Sequence, residues 1–319
     1  MKKGAFIAIS IVSFLVSFGL GIASKSIASP AIRKYSMNWD DNLGTLQKDL
    51  AYGEGESQKF DLYLPKDNSK DSYGLAVYLH AGGFTSGDKS DDEKILSWLC
   101  SKGYVAAGIN YTLRTDKNTA SVLTQSNEIK EAIPKVIEAA KEAGYPIDKM
   151  TIAGGSAGHA LAMIYAYRDG PDAPVPVVLT FGAVGPSSFY AGDWGIFGAG
   201  TETEEQRLTA ATLFSVMSGE EITPEEIADG SYLEKVKPIA AAEWVSHNPV
   251  PTAVAYGTYD RMQPFAASKR LKNALEENHV DYQYFEMTHS GHGLQNDNAL
   301  YLKWMQAVDA YLDKYMPVK

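Results

Sequence analysis

Short runs of β-branched and aromatic residues alternate along the chain with longer stretches in which apolar residues recur every three or four positions. The short runs predict strands and the longer stretches predict helices. Strands are predicted at residues 60–65 (an edge strand), 74–80, 104–110, 150–153, 177–181, 252–256 and 282–287. Because the two kinds of element alternate, the pattern predicts an α/β fold with a mostly parallel central sheet flanked by helices.

Capping residues and apolar periodicity predict the helices between these strands. One helix is expected at 91–101, with Gly103 as its stop, and a longer one from Ser126 to about residue 143. A further helix opens at Pro264. The last helix carries Tyr301 and six further large apolar residues on one face, a spacing that indicates core packing.

Residues 185–246 interrupt the alternation, since they contain helix starts but no strand pattern. Thr223, Pro224 and Glu226 supply an N-cap, a proline in the first helical position and a capping-box carboxylate. Another helix is closed by Gly219. We therefore expect an inserted helical cap over one end of the sheet.

The N-terminal segment has the pattern of an export signal. Lys2 and Lys3 precede the uncharged, largely apolar residues 4–24. That stretch is also long enough to span a bilayer, so residues 1–28 are predicted to be either a cleaved signal peptide or a membrane anchor. Residues 29–50 are then a tether and residues 51–319 the catalytic domain. In both cases the domain is expected outside the cytoplasm, secreted or held at the membrane through residues 4–24.

Composition excludes several classes of partner and site. The chain has 319 residues with 29 Lys and Arg against 39 Asp and Glu, a net charge of −10. No nucleic-acid partner is expected for a chain this acidic without a basic block. The single cysteine, Cys100, excludes an intrachain disulfide and a cysteine-cluster metal site.

The sequence Gly154-Gly155-Ser156-Ala157-Gly158 lies between a predicted strand and a predicted helix. A G-x-S-x-G sequence at such a turn is a nucleophile elbow, which lifts a serine hydroxyl clear of the sheet. Ser156 is therefore the predicted nucleophile.

A second glycine-rich turn follows the strand at 74–80, where the sequence runs His80-Ala81-Gly82-Gly83-Phe84. Glycines let backbone N–H groups approach a substrate oxygen closely, as an oxyanion hole requires. The predicted donors are the amides of Gly82, Gly83 and Ala157. His80 is expected to orient this loop and not to act as a base.

A serine nucleophile needs a base, and the base needs a carboxylate to orient it. Asp260 follows one late strand, and His292 lies in Gly291-His292-Gly293 after the next. The order Ser156, Asp260, His292 is the chain order of α/β-hydrolase triads. His289 is the alternative base, with a structural role expected. His289 and His292 have no third metal ligand nearby in sequence, so no metal is expected.

These motifs together resemble the α/β-hydrolase superfamily from about residue 52 to 316. The chain looks most like the esterase branch with an HGG-type oxyanion loop, which includes carboxylesterases, acetyl-xylan and feruloyl esterases and relatives of kynurenine formamidase. The resemblance implies the α/β-hydrolase fold and no metal, nucleotide or flavin cofactor. Two residues depart from the family pattern: Ala81 replaces a usual glycine, and His159 follows the elbow, where it is expected to narrow the pocket.

The predicted activity is hydrolysis of carboxylic esters through an acyl-enzyme, on short-acyl or carbohydrate-linked esters outside the cytoplasm. Phe84 and the cap residue Trp194 are the predicted substrate contacts; Trp194 belongs to an aromatic group that is either a wall for the substrate or simply cap core. An exported peptidase or amidase of the same fold is the first alternative. A non-catalytic, membrane-tethered binding module is the second.

Overall fold

One eight-stranded sheet organises the protein in the computed structural model, which describes residues 33–318. The strands are β1 (Gly44–Ala51), β2 (Lys59–Pro65), β3 (Tyr73–Leu79), β4 (Val105–Ile109), β5 (Ile147–Gly155), β6 (Val177–Ala183), β7 (Thr252–Gly257) and β8 (Tyr282–Met287). Their order is β1-β2-β4-β3-β5-β6-β7-β8. The pairs β1–β2 and β2–β4 are antiparallel, and all later pairs are parallel.

Helices fill the connections between the parallel strands. The α-helices of the described part are α1 (Glu93–Ser101), α2 (Val122–Glu142), α3 (Ala157–Ile164), α4 (Glu204–Ser218), α5 (Pro224–Asp229), α6 (Tyr232–Val236), α7 (Phe265–Glu277) and α8 (Asn298–Tyr315). Shorter 3₁₀ segments occur at Lys89–Asp92, Gly170–Asp172, Ala191–Phe197, Lys237–Ile239 and Ala241–Trp244, and a π-helical turn at Tyr165–Asp169. This arrangement confirms the predicted α/β architecture.

The core lies in two layers, one on each face of the sheet. Along β3, Leu75 and Val77 pack into the layer that contains α2 and α3, whereas Ala76 faces the layer that contains α1 and α8. This period of two follows from the pleat of a strand. On α8, the buried residues Trp304 and Val308 confirm that the predicted apolar face packs against the sheet.

The N-terminal boundaries differ from the sequence-based prediction. Residues 44–51 form β1 and pair with β2, so β2 is not an edge strand and the predicted tether at 29–50 is wrong for residues 44–50. Before β1, the Tyr35 ring packs edge-to-face on Trp98 with 5.3 Å between centroids. The predicted signal or anchor at residues 1–28 lies outside the described residues. Between residues 33 and 318, no helix combines the length and apolarity needed to cross a membrane.

The long helix α2 begins five residues earlier than predicted. Its N-cap is Ser121, whose hydroxyl accepts a hydrogen bond from the Thr124 N–H at 3.3 Å while the Thr124 hydroxyl accepts from the Ser121 N–H at 2.8 Å. The predicted cap, Ser126, is buried inside the helix and donates to the Leu123 carbonyl. The earlier start places the first turn of α2 beside the functional site.

The segment between β6 and β7 is helical, as its sequence predicts. Helix α4 starts at the capping box of Thr203 and Gln206 and ends at Gly219, which has the left-handed φ of 81°. The end of α4 lies against the start of α2, because a Cβ built on Gly219 would be 2.7 Å from the Ser121 hydroxyl oxygen. The segment thus forms a cap over the carboxyl ends of the parallel strands.

Candidate active site

Ser156 occupies a strained turn between β5 and α3. Its φ of 51° and ψ of −117° are unusual for a residue with a side chain. The turn is tight because α3 packs directly on the end of β3: a Cβ on Gly158 would lie 1.9 Å from the Leu79 carbonyl oxygen. The Ser156 N–H donates to the Ala183 carbonyl at 2.9 Å, so this amide is not free to bind a substrate.

The structure brings Ser156, His292 and Asp260 together in one chain of hydrogen bonds. Nε2 of His292 lies 2.9 Å from the Ser156 Oγ, and Nδ1 lies 2.8 Å from Asp260 Oδ2. Because a carboxylate only accepts hydrogen bonds, Nδ1 carries the proton and Nε2 is free to accept from the serine. His292 follows β8 and Asp260 follows β7, so neighbouring parallel strands deliver both side chains to the same sheet edge.

The orientation of Asp260 is fixed by backbone donors. Its Oδ1 accepts from the N–H groups of Met262 at 2.7 Å and Gln263 at 2.9 Å, which leaves Oδ2 for His292. The Asp260 side chain is 1% exposed, whereas that of His292 is 29% exposed. The carboxylate is therefore shielded from water while the imidazole reaches the open site.

The predicted oxyanion loop forms a compact turn beside the elbow. Gly82 and Gly83 have φ values of 126° and 59°, and the Gly82 carbonyl accepts from the N–H groups of Thr85 and Ser86. Ala157 is the first residue of α3, so its N–H has no partner within the helix. Gly83 and Ala157 line the cavity at Ser156, whereas Gly82 is not among the lining residues of the described chain.

Gln125, which the sequence analysis did not single out, holds the oxyanion loop in place. Its Nε2 donates to the carbonyls of Phe84 at 2.9 Å and Thr112 at 2.8 Å, and the Arg114 N–H donates to the same Phe84 carbonyl. Gln125 is fully buried in the first turns of α2. The sequence signal for this role is a long polar side chain among the buried positions of an amphipathic helix.

His80 is a structural residue of the same loop. Its ring stacks on Tyr111 at 4.3 Å between centroids, and its Nδ1 lies 2.7 Å from the Ala81 carbonyl oxygen. Burial lowers the pKa of His80, which favours the neutral imidazole. Ala81 is absent from the positive-φ residues of the described chain, so alanine is tolerated there without strain.

A cavity of about 250 Å³ opens above Ser156, and most of its lining is apolar. The predicted contacts Phe84 and Trp194 both lie in its wall. Trp194 is also part of the cap core, because its ring stacks on Phe189 at 5.4 Å between centroids. Helix α4, which is not among the predicted parts of the site, adds Leu213, Val216 and Met217 to the apolar wall.

The two other histidines near these motifs lie outside the cavity. His289 is 78% exposed in its side chain and pairs with Asp297 through Nδ1 at 2.9 Å. His159 does not narrow the pocket as predicted: it is buried beneath the site, where its Nδ1 accepts from the Gly185 N–H. In the part of the chain described, no group of three or more His, Cys, Asp or Glu side chains is arranged to hold a metal ion.

Comparisons with known proteins bear on the family and the fold. Residues 60–174 match the BD-FAE family model, and residues 203–318 match that of the prolyl oligopeptidase family. A kynurenine formamidase of Salmo salar is 30% identical over 116 residues, which are 36% of this chain and 37% of that protein. The chain thus spans little more than a third of the length of this relative.

Solved structures are similar over a larger part of the chain. Esterase B from Lactobacillus Rhamnosis has a TM-score of 0.63 at 17% identity, covering 97% of both chains. A truncated carbohydrate esterase from gut microbiota has a TM-score of 0.64 at 18% identity, covering 87% of this chain and 99% of that one. The two family matches fall on opposite sides of residue 185, and the structural similarity extends across both, so the protein has the α/β-hydrolase fold.

Proposed function

We propose that the protein is a serine hydrolase that cleaves carboxylic esters through an acyl-enzyme intermediate. The observation that carries this proposal is the continuous hydrogen-bonded chain from Ser156 through His292 to Asp260, which opens into an apolar cavity. Nucleophile and base within hydrogen-bond reach, with a third group orienting the base, is the geometry that activates a serine hydroxyl.

The reaction proceeds in two halves. His292 Nε2 takes the Ser156 proton as Oγ attacks the ester carbonyl, and Asp260 stabilises the resulting imidazolium. The tetrahedral intermediate collapses when the same nitrogen returns the proton to the leaving alkoxide oxygen, which releases the alcohol. Water then attacks the acyl-enzyme by the same proton path and releases the acid.

The amides of Gly83 and Ala157, which line the cavity, stabilise the negative charge on the oxygen of the tetrahedral intermediate, and Gly82 is the third predicted donor. Donors fixed in place before the reaction contribute about 10²- to 10³-fold each to the rate. The hydrogen bonds from Gln125 hold the loop that carries Gly83, so the donors need not reorganise during the reaction.

Of the two substrate classes expected from the sequence, the apolar walls favour short-acyl esters over carbohydrate-linked ones. Site walls with few polar groups recognise a ligand by burial, whereas a sugar needs several directed hydrogen bonds. A location outside the cytoplasm is proposed on the pattern of residues 1–24, namely a lysine pair followed by an apolar stretch.

Amide hydrolysis is the second candidate. The partial match to a kynurenine formamidase and the match to the prolyl oligopeptidase family favour it, since the same triad serves for amide and ester cleavage. Nitroanilide and peptide substrates distinguish this activity from ester cleavage.

The proposed function is tested with purified full-length protein and a fluorophosphonate probe, which labels activated serines. The wild type should take up one probe per chain and hydrolyse nitrophenyl butyrate, whereas Ser156→Ala should do neither. Ser69→Ala, in the exposed turn after β2, is the matched control and should behave as the wild type. A folded wild type that is not labelled by the probe and does not hydrolyse esters refutes the proposal, and a non-catalytic binding module is then the remaining alternative.

A further inference from the structure

We propose that α4 of the cap is the acyl-chain wall of the site, and that the protein selects aliphatic acyl groups of about four to eight carbons. This inference rests on the proposed function. The wall consists of Leu213, Val216 and Met217, which lie at positions i, i+3 and i+4 and line the cavity together.

The apolar residues of α4 form one broad stripe, of which one part is buried in the core and the other part borders the cavity. Ala210, Ala211 and Phe214 are buried in the core. The cavity face is apolar as well, yet its side chains keep solvent exposure: Leu213 and Met217 are partly buried, and Val216 is 40% exposed. Apolar side chains that face an open cavity gain burial only when a ligand covers them.

The contact of α4 with α2, which holds the oxyanion loop, assigns this wall to the acyl part of the ester. His292 returns a proton to the leaving oxygen, so the alcohol part lies on the side of His292 and its neighbour in the cavity, Met262. The end of α4 lies against Ser121 at the start of α2, and Ser121 also lines the cavity. The Phe84 carbonyl is bonded to Gln125 of α2, so the oxyanion loop shares that side with the wall.

The volume sets the expected chain length. A benzene molecule occupies an apolar cavity of about 150 Å³, or about 25 Å³ per carbon. The cavity of about 250 Å³ therefore holds about ten non-hydrogen atoms. Once the two ester oxygens and the first carbon of the alcohol are placed, about seven of these positions remain for acyl carbons, which falls within the range of about four to eight.

Charge and hydrogen bonding also favour an alkyl chain. The three α4 residues of the wall carry no charge, and Arg114, which lines the cavity, already donates through Nη1 to the Ala120 carbonyl at 2.8 Å. An alkyl chain requires neither a charged nor a hydrogen-bonding partner, so this wall can bind it by apolar contact alone.

The test measures kcat/KM for nitrophenyl acetate, butyrate, hexanoate, octanoate, decanoate and laurate, all below their aggregation limits. Each added methylene in an apolar pocket is worth about tenfold or more in kcat/KM. The wild type should improve at least about tenfold from acetate to its optimum at butyrate to octanoate and decline for decanoate and laurate.

Variants of the wall identify the residues that set the profile. Met217→Trp should lower kcat/KM for octanoate at least about tenfold more than kcat/KM for acetate, mainly through KM. Leu213→Ala should move the optimum toward decanoate. Thr212→Trp is the matched control, since Thr212 is exposed on the same turn of α4 but does not line the cavity, and it should keep the wild-type profile.

The outcomes separate this inference from the proposed function. If the wild type labels with the fluorophosphonate and cleaves esters, but prefers acetate or a feruloyl ester, the acyl-wall inference is wrong and the serine hydrolase stands. Equal losses on all esters in Met217→Trp, with a native circular dichroism spectrum, also overturn it. No labelling and no ester hydrolysis by the wild type refutes the proposed function itself.

Discussion

Replacing Asp260 by asparagine tests whether the carboxylate orients His292, because the surrounding donors dictate how the amide must sit. The N–H groups of Met262 and Gln263 both point at Oδ1. The asparagine oxygen must take this position, since its NH₂ group there would face two donors. The NH₂ group is then turned toward His292 Nδ1, which must lose its proton to accept the hydrogen bond.

The consequence is a change of tautomer at His292. Nε2 then carries the proton and donates to the Ser156 Oγ, 2.9 Å away, instead of accepting from it. A base in this tautomer cannot take the serine proton, and the expected loss in kcat is about 10⁴-fold. This corresponds to about 5 kcal/mol of activation free energy.

The assay is hydrolysis of nitrophenyl butyrate at constant pH, with fluorophosphonate labelling rates as a second readout. Asp148→Asn serves as the control, because Asp148 is exposed at the start of β5, where its Oδ2 accepts from the Ser72 hydroxyl. Asp260→Asn should remain folded, with Ser156 still in place, but should lose both ester hydrolysis and fluorophosphonate labelling. A fall of less than about tenfold in a folded variant would show that Asp260 does not set the tautomer.

Other variants test the base, the elbow and a buried histidine. His292→Asn should abolish ester hydrolysis, whereas His289→Asn, which removes an exposed imidazole, should keep it within about threefold in the same assay; comparable losses would contradict the assignment of the base. Gly158→Ala should lower the urea-measured free energy of unfolding by about 3 kcal/mol, because the new Cβ meets a strand carbonyl oxygen at 1.9 Å, whereas Gly155→Ala, with 3.7 Å of clearance, should cost much less. Burial lowers the pKa of His159 to about 3 from 6.5, so the unfolded chain gains a proton that the folded chain does not as the pH falls below 6.5. The stabilising contribution of neutral His159 is therefore complete above pH 6.5 and is lost as the pH falls. The urea-measured free energy of unfolding of the wild type should decrease by about 2–3 kcal/mol between pH 6.5 and about 4.5, and this decrease should be absent in His159→Gln.

The strands and turns that carry Ser156, Asp260 and His292 could be predicted because local sequence specifies them. Each of these residues follows a run of buried apolar residues and stands next to glycine or in a turn sequence, and parallel strands end at one sheet edge. Their meeting within 3 Å then follows from the strand order. The distances between these side chains depend on the conformations of the folded loops and cannot be predicted from the sequence.

The first strand was missed for a physical reason. β1 lies at the sheet edge and has no buried residue along its length, so residues 44–51 show neither an apolar run nor a clean alternation. Its position is determined by pairing with β2, and the sequence of β1 alone does not predict this pairing. Edge strands are stabilised by the partner's backbone as much as by their own side chains.

The cavity shows the same limit at the functional site. Leu213 and Met217 look like ordinary members of an amphipathic helix, and sequence periodicity assigns them to packing. They become part of the site only because Gly219 brings the end of α4 against Ser121, almost 100 residues earlier in the chain. The catalytic residues are therefore specified by short motifs that can be recognised in the sequence, whereas the selectivity depends on a contact between helices that are distant in the sequence. Substitutions at the α4–α2 contact should for this reason alter which ester is cleaved before they alter whether esters are cleaved.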